Sequence, residues 1–197
     1  MEQTPGRLGR PRDTDIDRAV LATARRHLAI HGLAALSVAA IAQEAGTTRP
    51  SLYRRWPDKL QLAVAAVADL AEIDPPQPTD DPFRDLVAEL EHFRDCVTEA
   101  ATLALAGLML QDGVDPEFQR QYREHLVKPR RGRLRACLER GVVAGLLSAD
   151  ADIALASTFA TGSWYAFAIA GTPPPHDWPR RAATLIWRGC GGTAPPR

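Results

Sequence analysis

The chain holds three cysteines, Cys96, Cys137 and Cys190, widely spaced and odd in number. That excludes a disulfide framework and any metal site built on paired cysteines. Buried, reduced thiols in the cytosol are the simplest reading, with a redox sensor as the alternative. There is no glycine-rich phosphate loop, no Gly-x-Ser-x-Gly elbow and no His-Glu-x-x-His. Enzymatic function therefore has no motif behind it, and neither a cofactor nor a metal is expected. The carboxylate pairs Asp80-Asp81 and Asp150 with Asp152 fall at linker and cap positions. Glu89, His92 and Asp95 share a helical face, where surface ion pairing is the expectation. No strand pattern and no internal repeat appears, so the chain reads as all-α.

Net charge is also missing, with 24 Lys+Arg against 24 Asp+Glu. A neutral total argues against a nucleic-acid binder until the chain is divided. Residues 1–60 carry a net charge of +4 and residues 61–197 a net charge of −4. A phosphate-binding module belongs in the first part. Lysine is nearly absent too: only Lys59 and Lys128 occur, and the remaining 22 basic residues are arginine.

Long hydrophobic runs are scarce. Ile153 to Gly171 is uncharged for 19 residues, long enough to span a bilayer. It is rich in alanine, however, and interrupted by Ser157, Thr158, Thr161, Gly162 and Ser163. A helix buried on most sides within a bundle or dimer is the better reading. No secretory signal opens the chain, and a cytoplasmic location without membrane contact is expected.

The stretch from Ser37 to Lys59 organises the rest. Ser37 is a candidate N-cap, and Val38, Ile41, Ala42 and Ala45 recur on one helical face. Gly46 stands where a helix ends in the left-handed conformation. Thr48 caps the next helix, Pro50 fits its first turn, and Leu52 with Trp56 gives its buried edge. Pro57 stops it, and Asp58 with Gln61 forms a capping pair for a longer helix. Two short helices on a glycine turn, the second carrying arginines and a tyrosine, have the form of a helix-turn-helix.

Leu52-Tyr53-Arg54-Arg55-Trp56, followed by Pro57-Asp58-Lys59, resembles the recognition helix of the TetR/AcrR family of bacterial transcriptional regulators. Ile41-Ala42-x-x-Ala45-Gly46 matches the upstream half at the same spacing. Pro50, Arg55 and Trp56 depart from the family's usual small residue, histidine and phenylalanine or tyrosine, and Trp56 keeps an aromatic plug there. The resemblance implies a tetracycline-repressor-like protein: a three-helix DNA-binding domain, then a larger helical domain for ligand binding and dimerisation. It implies DNA contacts from Ser37, Thr47, Thr48, Arg49, Pro50, Ser51, Tyr53, Arg54, Arg55 and Lys59.

Residues 1–12, with Arg7, Arg10 and Arg12, read as a flexible basic arm, a candidate for reaching DNA. A first helix follows through Ile16, Ala19, Val20, Thr23, His27 and Ile30 to Gly32. The DNA-binding domain is expected over 13–73, and the proline-rich acidic stretch 74–82 as a flexible linker. A helical body is expected over 83–190, beginning with the amphipathic stripe Phe83, Leu86, Val87, Leu90, Phe93 and Val97, and ending in a frayed tail at 191–197. Ala100–Leu110 is an apolar run, Pro129 is a point where a helix kinks or splits, and Arg130, Arg131, Arg133 and Arg135 read as a solvated face. Phe93, Met109, Phe159, Trp164, Tyr165 and Phe167 are candidates for a ligand pocket, with core packing as the alternative for each.

The function expected is a repressor that binds a palindromic double-stranded operator as a homodimer and is released by a small-molecule effector. A constitutive architectural DNA binder, and a helical carrier or enzyme, are the competing classes.

Overall fold

The computed structural model describes residues 13–71, 75–98, 103, 106, 107, 109 and 116–193. The arm at 1–12, residues 72–74, most of the run Ala100–Leu110 and the last four residues lie outside the described residues. Every regular element among the described residues is helical.

Four helices form the N-terminal unit: α1 (Asp13–His31), α2 (Val38–Glu44), α3 (Arg49–Arg55) and α4 (Lys59–Ala71). The buried face of α1 runs through Val20, Thr23, Ala24 and Leu28. Ile30, expected on that face, is 72% exposed, and Ala19 is exposed as well. The face is rotated towards Ala24 and Leu28 because these meet Ile41 and Leu52 in the same core. Ionic ties hold α1 against α4 and α2. Arg25 reaches Asp69 at 2.7 Å and the Ala66 carbonyl at 3.0 Å on α4. Arg26 and His27 both bond Glu44 at the end of α2, at 2.5 and 2.8 Å.

The helix α4 is apolar almost all round: Leu62, Ala63, Val64, Ala66 and Val67 are all buried. A helix of that kind needs neighbours on two sides. One side is α1. The other comes from far along the chain, from α6 (Pro116–Tyr122) and the π-helical turn Arg123–Val127, which place Tyr122 and Leu126 in the N-terminal core. The π turn leads directly into α7 (Lys128–Val143), with Pro129 in its first turn. Pro129 has no N–H to donate, and the Lys128 N–H reaches back to the Arg123 carbonyl instead. The proline neither splits nor ends the helix; it is absorbed by one widened turn.

The second core gathers α5 (Pro82–Thr98), α7, α8 (Ile153–Ile169) and α9 (Trp178–Gly189). Phe83, Leu86, Leu90, Phe93 and Val97 are buried as the stripe requires. Trp187 meets Phe83 edge-on at 5.3 Å, and Trp178 meets Trp164 edge-on at 4.9 Å while its indole N–H donates to Ser163 at 3.1 Å. The end of the chain is tied down further than its composition suggests. Gly191 and Gly192 donate to the Arg188 and Trp187 carbonyls, both at 2.9 Å. Gly192 lies so close to Trp187 that a Cβ there would sit 2.4 Å from the ring. Fraying is therefore not what residues 191–192 do.

The proline-rich connection is anchored too. The Thr79 hydroxyl and N–H both donate to the buried Asp85 carboxylate, at 2.6 and 2.9 Å, and Arg140 of α7 binds the same carboxylate. The connection is thereby pinned to α5 and α7 rather than hanging free. Burial works to raise the Asp85 carboxyl, but the Thr79 and Arg140 bonds outweigh it and hold it below the usual carboxylate range. A depressed folded value means the contribution is complete above the ordinary carboxylate range and is lost as pH falls through the folded value. Asp85→Asn is expected to lower stability by about 1–3 kcal/mol at neutral pH. In urea unfolding, the gap to wild type should narrow progressively in acid; a gap independent of pH contradicts the assignment.

Candidate nucleic-acid interface and effector cavity

The recognition helix is set by hydrogen bonds that its sequence supplies. Ser37 Oγ accepts the Ala40 N–H at 3.3 Å and opens α2. At the other end Gly46 takes φ 68°, its N–H donates to the Gln43 carbonyl, and the Thr47 N–H donates to the Ala42 carbonyl at 2.9 Å. This pair of bonds closes the helix and turns the chain. Thr48 then caps α3 through Ser51 N–H, with Pro50 in the first turn. Leu52, 1% exposed, plugs α3 into the N-terminal core, and Trp56 packs beside it.

That seating leaves a polar face in solvent. Thr48, Arg49, Pro50, Tyr53 and Arg54 are exposed, and Ser51 is half-buried and accepts a bond from Arg54 at 3.4 Å. Arg49 makes no hydrogen bond or ion pair among the described residues. Two of the expected contacts are engaged within the chain. Arg55 pairs with Asp17 of α1 at 2.8 Å, and Lys59 donates to the Ala34 carbonyl at 3.2 Å. Ser37 and Thr47 sit at the helix start and the turn, the latter half-buried.

A cavity of about 450 Å³ lies in the second unit, within the range of small-molecule sites. Of the six aromatic and apolar candidates, Phe93, Met109 and Tyr165 line it. Trp164 and Phe167 pack against the core instead. Phe159 is 63% exposed and lines a separate apolar depression with Leu155 and Leu185. A larger groove of about 690 Å³ runs between α4 and residues 121–129, with Trp56, Asp69, Glu124 and His125 in its lining.

The basic run 130–135 divides in a way its composition hides. Arg131 and Arg135 are exposed, Arg133 pairs at 3.0 Å with the buried Glu89, and Arg130 is only 7% exposed. Arg130 lines the cavity, lies over the Phe93 ring at 5.2 Å, and keeps Nε and Nη2 buried without a hydrogen-bond partner. Spacing carried the signal: Arg130, Leu134 and Leu138 follow at four-residue intervals along α7, and all three are buried. Tyr122 and Thr161 also line the cavity and were not singled out by sequence. Burial raises both phenols, Tyr122 and Tyr165, so both remain hydrogen-bond donors at neutral pH. The three thiols are buried and unpaired with one another. Burial raises all of them, Cys137 to about 12, which leaves them poor nucleophiles. Glu89, His92 and Asp95 do not converge: Asp95 pairs with Arg94, His92 lies against Cys96, and no metal-binding group occurs among the described residues.

Two family models match successive parts of this chain. Residues 20–66 match the bacterial regulatory proteins of the tetR family, and residues 76–186 match the tetracyclin repressor-like C-terminal domain. The chain belongs to the TetR family. It is 24% identical over 188 residues to the HTH-type transcriptional regulator YdeS of Bacillus subtilis (strain 168), covering 94% of this chain and 95% of that one. Its fold is shared by the TetR family regulator SCO0332, with a TM-score of 0.68 at 24% identity over 92% of this chain and all of that one. A TetR regulator from Agrobacterium tumefaciens gives 0.69 at 20% identity, over 88% and 93% of the two chains.

This TetR-family chain is accordingly a DNA-binding transcription regulator, from a family of regulators rather than enzymes. No helix among the described residues is long and apolar enough to cross a membrane. Arg130 stands out in this fold: it lies over the Phe93 ring and against the Cys96 thiol, with no carboxylate paired to it among the described residues. A buried cation without a counter-charge costs several kcal/mol, and a desolvated contact with an aromatic ring returns about 2. Arg130→Met keeps the volume and removes the charge. It is expected to raise stability by about 1 kcal/mol or more in urea unfolding of the protein alone; a loss of stability means that the guanidinium is already compensated.

Proposed function

We propose that this TetR-family protein is a repressor that binds a palindromic operator as a homodimer and leaves it when a small molecule fills the 450 Å³ cavity. The reader is residues 13–73, and the effector and dimer unit is residues 83–190. The observation that carries this reading is a shared wall. Tyr122 and Leu126 line the cavity and also belong to the core around α4. A ligand that moves this wall moves α4, and through it the spacing of two recognition helices, which must match half-sites one helical turn or a multiple apart. A constitutive architectural binder would have no use for such a cavity.

Dimerisation is supported by a face that a single chain leaves uncovered. Leu155, Phe159, Gly162, Ala166 and Ile169 form an exposed stripe on α8, and Leu185 on α9 is 76% exposed beside it. Ala160, a small residue of the same helix, is fully buried within its own chain, so the contact relies on the larger side chains. Apolar surface of that extent is normally covered by a partner.

On the DNA side, Thr48, Arg49, Tyr53 and Arg54 are the solvent-facing candidates, and Lys59 keeps N–H groups beyond its bond to Ala34. Arg49, in the first turn of α3, has the planar fork that suits guanine in the major groove. Selection from random duplexes followed by footprinting is expected to return two inverted half-sites. On that operator Arg49→Ala should cost about 1–3 kcal/mol, with much less effect on scrambled DNA. Lys59→Ala should weaken both duplexes alike and flatten the salt dependence by about one unit. Equal losses for Arg49→Ala on both duplexes would make Arg49 a phosphate contact, and a single undivided footprint would contradict the dimer.

A further inference from the structure

The cavity is unusual in its charge. Arg130 is more than nine-tenths buried in its wall, and two guanidinium nitrogens lack a protein partner. Arg123 and Arg131, both exposed, contribute to the same lining, and no Asp or Glu does so among the described residues. The nearby carboxylates are engaged elsewhere: Glu89 with Arg133, Glu124 with Lys128 and Glu117 with Arg120. The remaining wall is apolar or neutral, from Phe93, Met109 and Leu126 to the hydroxyl of Thr161. One buried cation in an apolar chamber is matched by one negative charge on an apolar body.

We propose that the effector is an organic monoacid whose carboxylate pairs with Arg130 and whose hydrocarbon or aromatic body lies along Phe93, Met109 and Leu126. The proposal rests on the reading of this cavity as the effector site and adds the chemistry of what enters it. A planar carboxylate accepts two parallel N–H bonds from the guanidinium fork, which satisfies Nε and Nη2 together. The hydroxyls of Thr161 and Tyr165 stand in the same lining as further donors. A phosphate alone would satisfy the charge but leave the apolar lining wet.

Calorimetric titration of the full-length protein tests the assignment with matched probes: octanoate and 3-phenylpropionate against octanamide and 3-phenylpropanamide, with inorganic phosphate as a fifth. Both acids are expected to bind wild type at least about tenfold more tightly than their amides, with no binding of phosphate. Arg130→Met should abolish that preference, so that each acid binds no more tightly than its own amide. Arg130→Lys should recover only part of it, since an ammonium cannot offer the fork. Acids and amides binding wild type equally, or a preference that survives in Arg130→Met, would overturn the role of Arg130 while leaving the cavity as the effector site. Phosphate binding as tightly as the acids would overturn the organic body. Silence from all the probes at millimolar concentration, with no change in the fluorescence of Trp164 and Trp178, would remove the cavity reading itself.

Discussion

The structure depends on the second side of α4. A thirteen-residue helix that is apolar nearly all round cannot be satisfied by α1 alone. Tyr122 and Leu126, more than fifty residues further along the chain, complete its burial. Each such side chain contributes about 1.5–3 kcal/mol, which is large against the total stability of a domain. The DNA-reading unit is therefore not autonomous. Its core is finished by residues that also line the cavity.

The π turn at Arg123–Val127 makes this dual contact possible. An uninterrupted α-helix across Pro129 would lose a hydrogen bond and clash with the preceding turn. Widening one turn removes the clash and changes the helical phase between Leu126 and the residues that follow. Leu126 can then serve the α4 core while Leu134 and Leu138 serve the second core. Arg130 falls between these two groups, facing the cavity with an unmatched charge. In the effector reading proposed above, that missing interaction is the one a ligand supplies.

Local chemistry was legible in the sequence and long-range pairing was not. Ser37, Gly46, Thr48 and the Leu52–Trp56 edge announce the helix-turn-helix because caps and turns are made by neighbouring residues. The α5 stripe was legible because one helix has one period. The pinned connection was not, since nothing in Thr79 or Asp85 says that Arg140, 55 residues away, will join them. Arg130 and Arg131 are adjacent and chemically identical, yet one is buried and the other exposed. Only the register of Leu126, Leu134 and Leu138 tells them apart. Phe159 lies outside the cavity that Phe93, Met109 and Tyr165 line, and instead lines the depression with Leu155 and Leu185, for a related reason: an aromatic on an uncharged helix suits a cavity wall and an exposed apolar face equally well.

Hydrogen–deuterium exchange on Leu126→Ala, compared with wild type in the absence of DNA, tests the shared wall most directly. Leu126 belongs by chain position to the C-terminal domain and by packing to the core around α4. Removing its side chain should speed exchange along α1 and α4 while α8 and α9 keep their protection. Faster exchange confined to residues 116–143, with α4 unchanged, would show that the reader stands alone and that the wall is not shared.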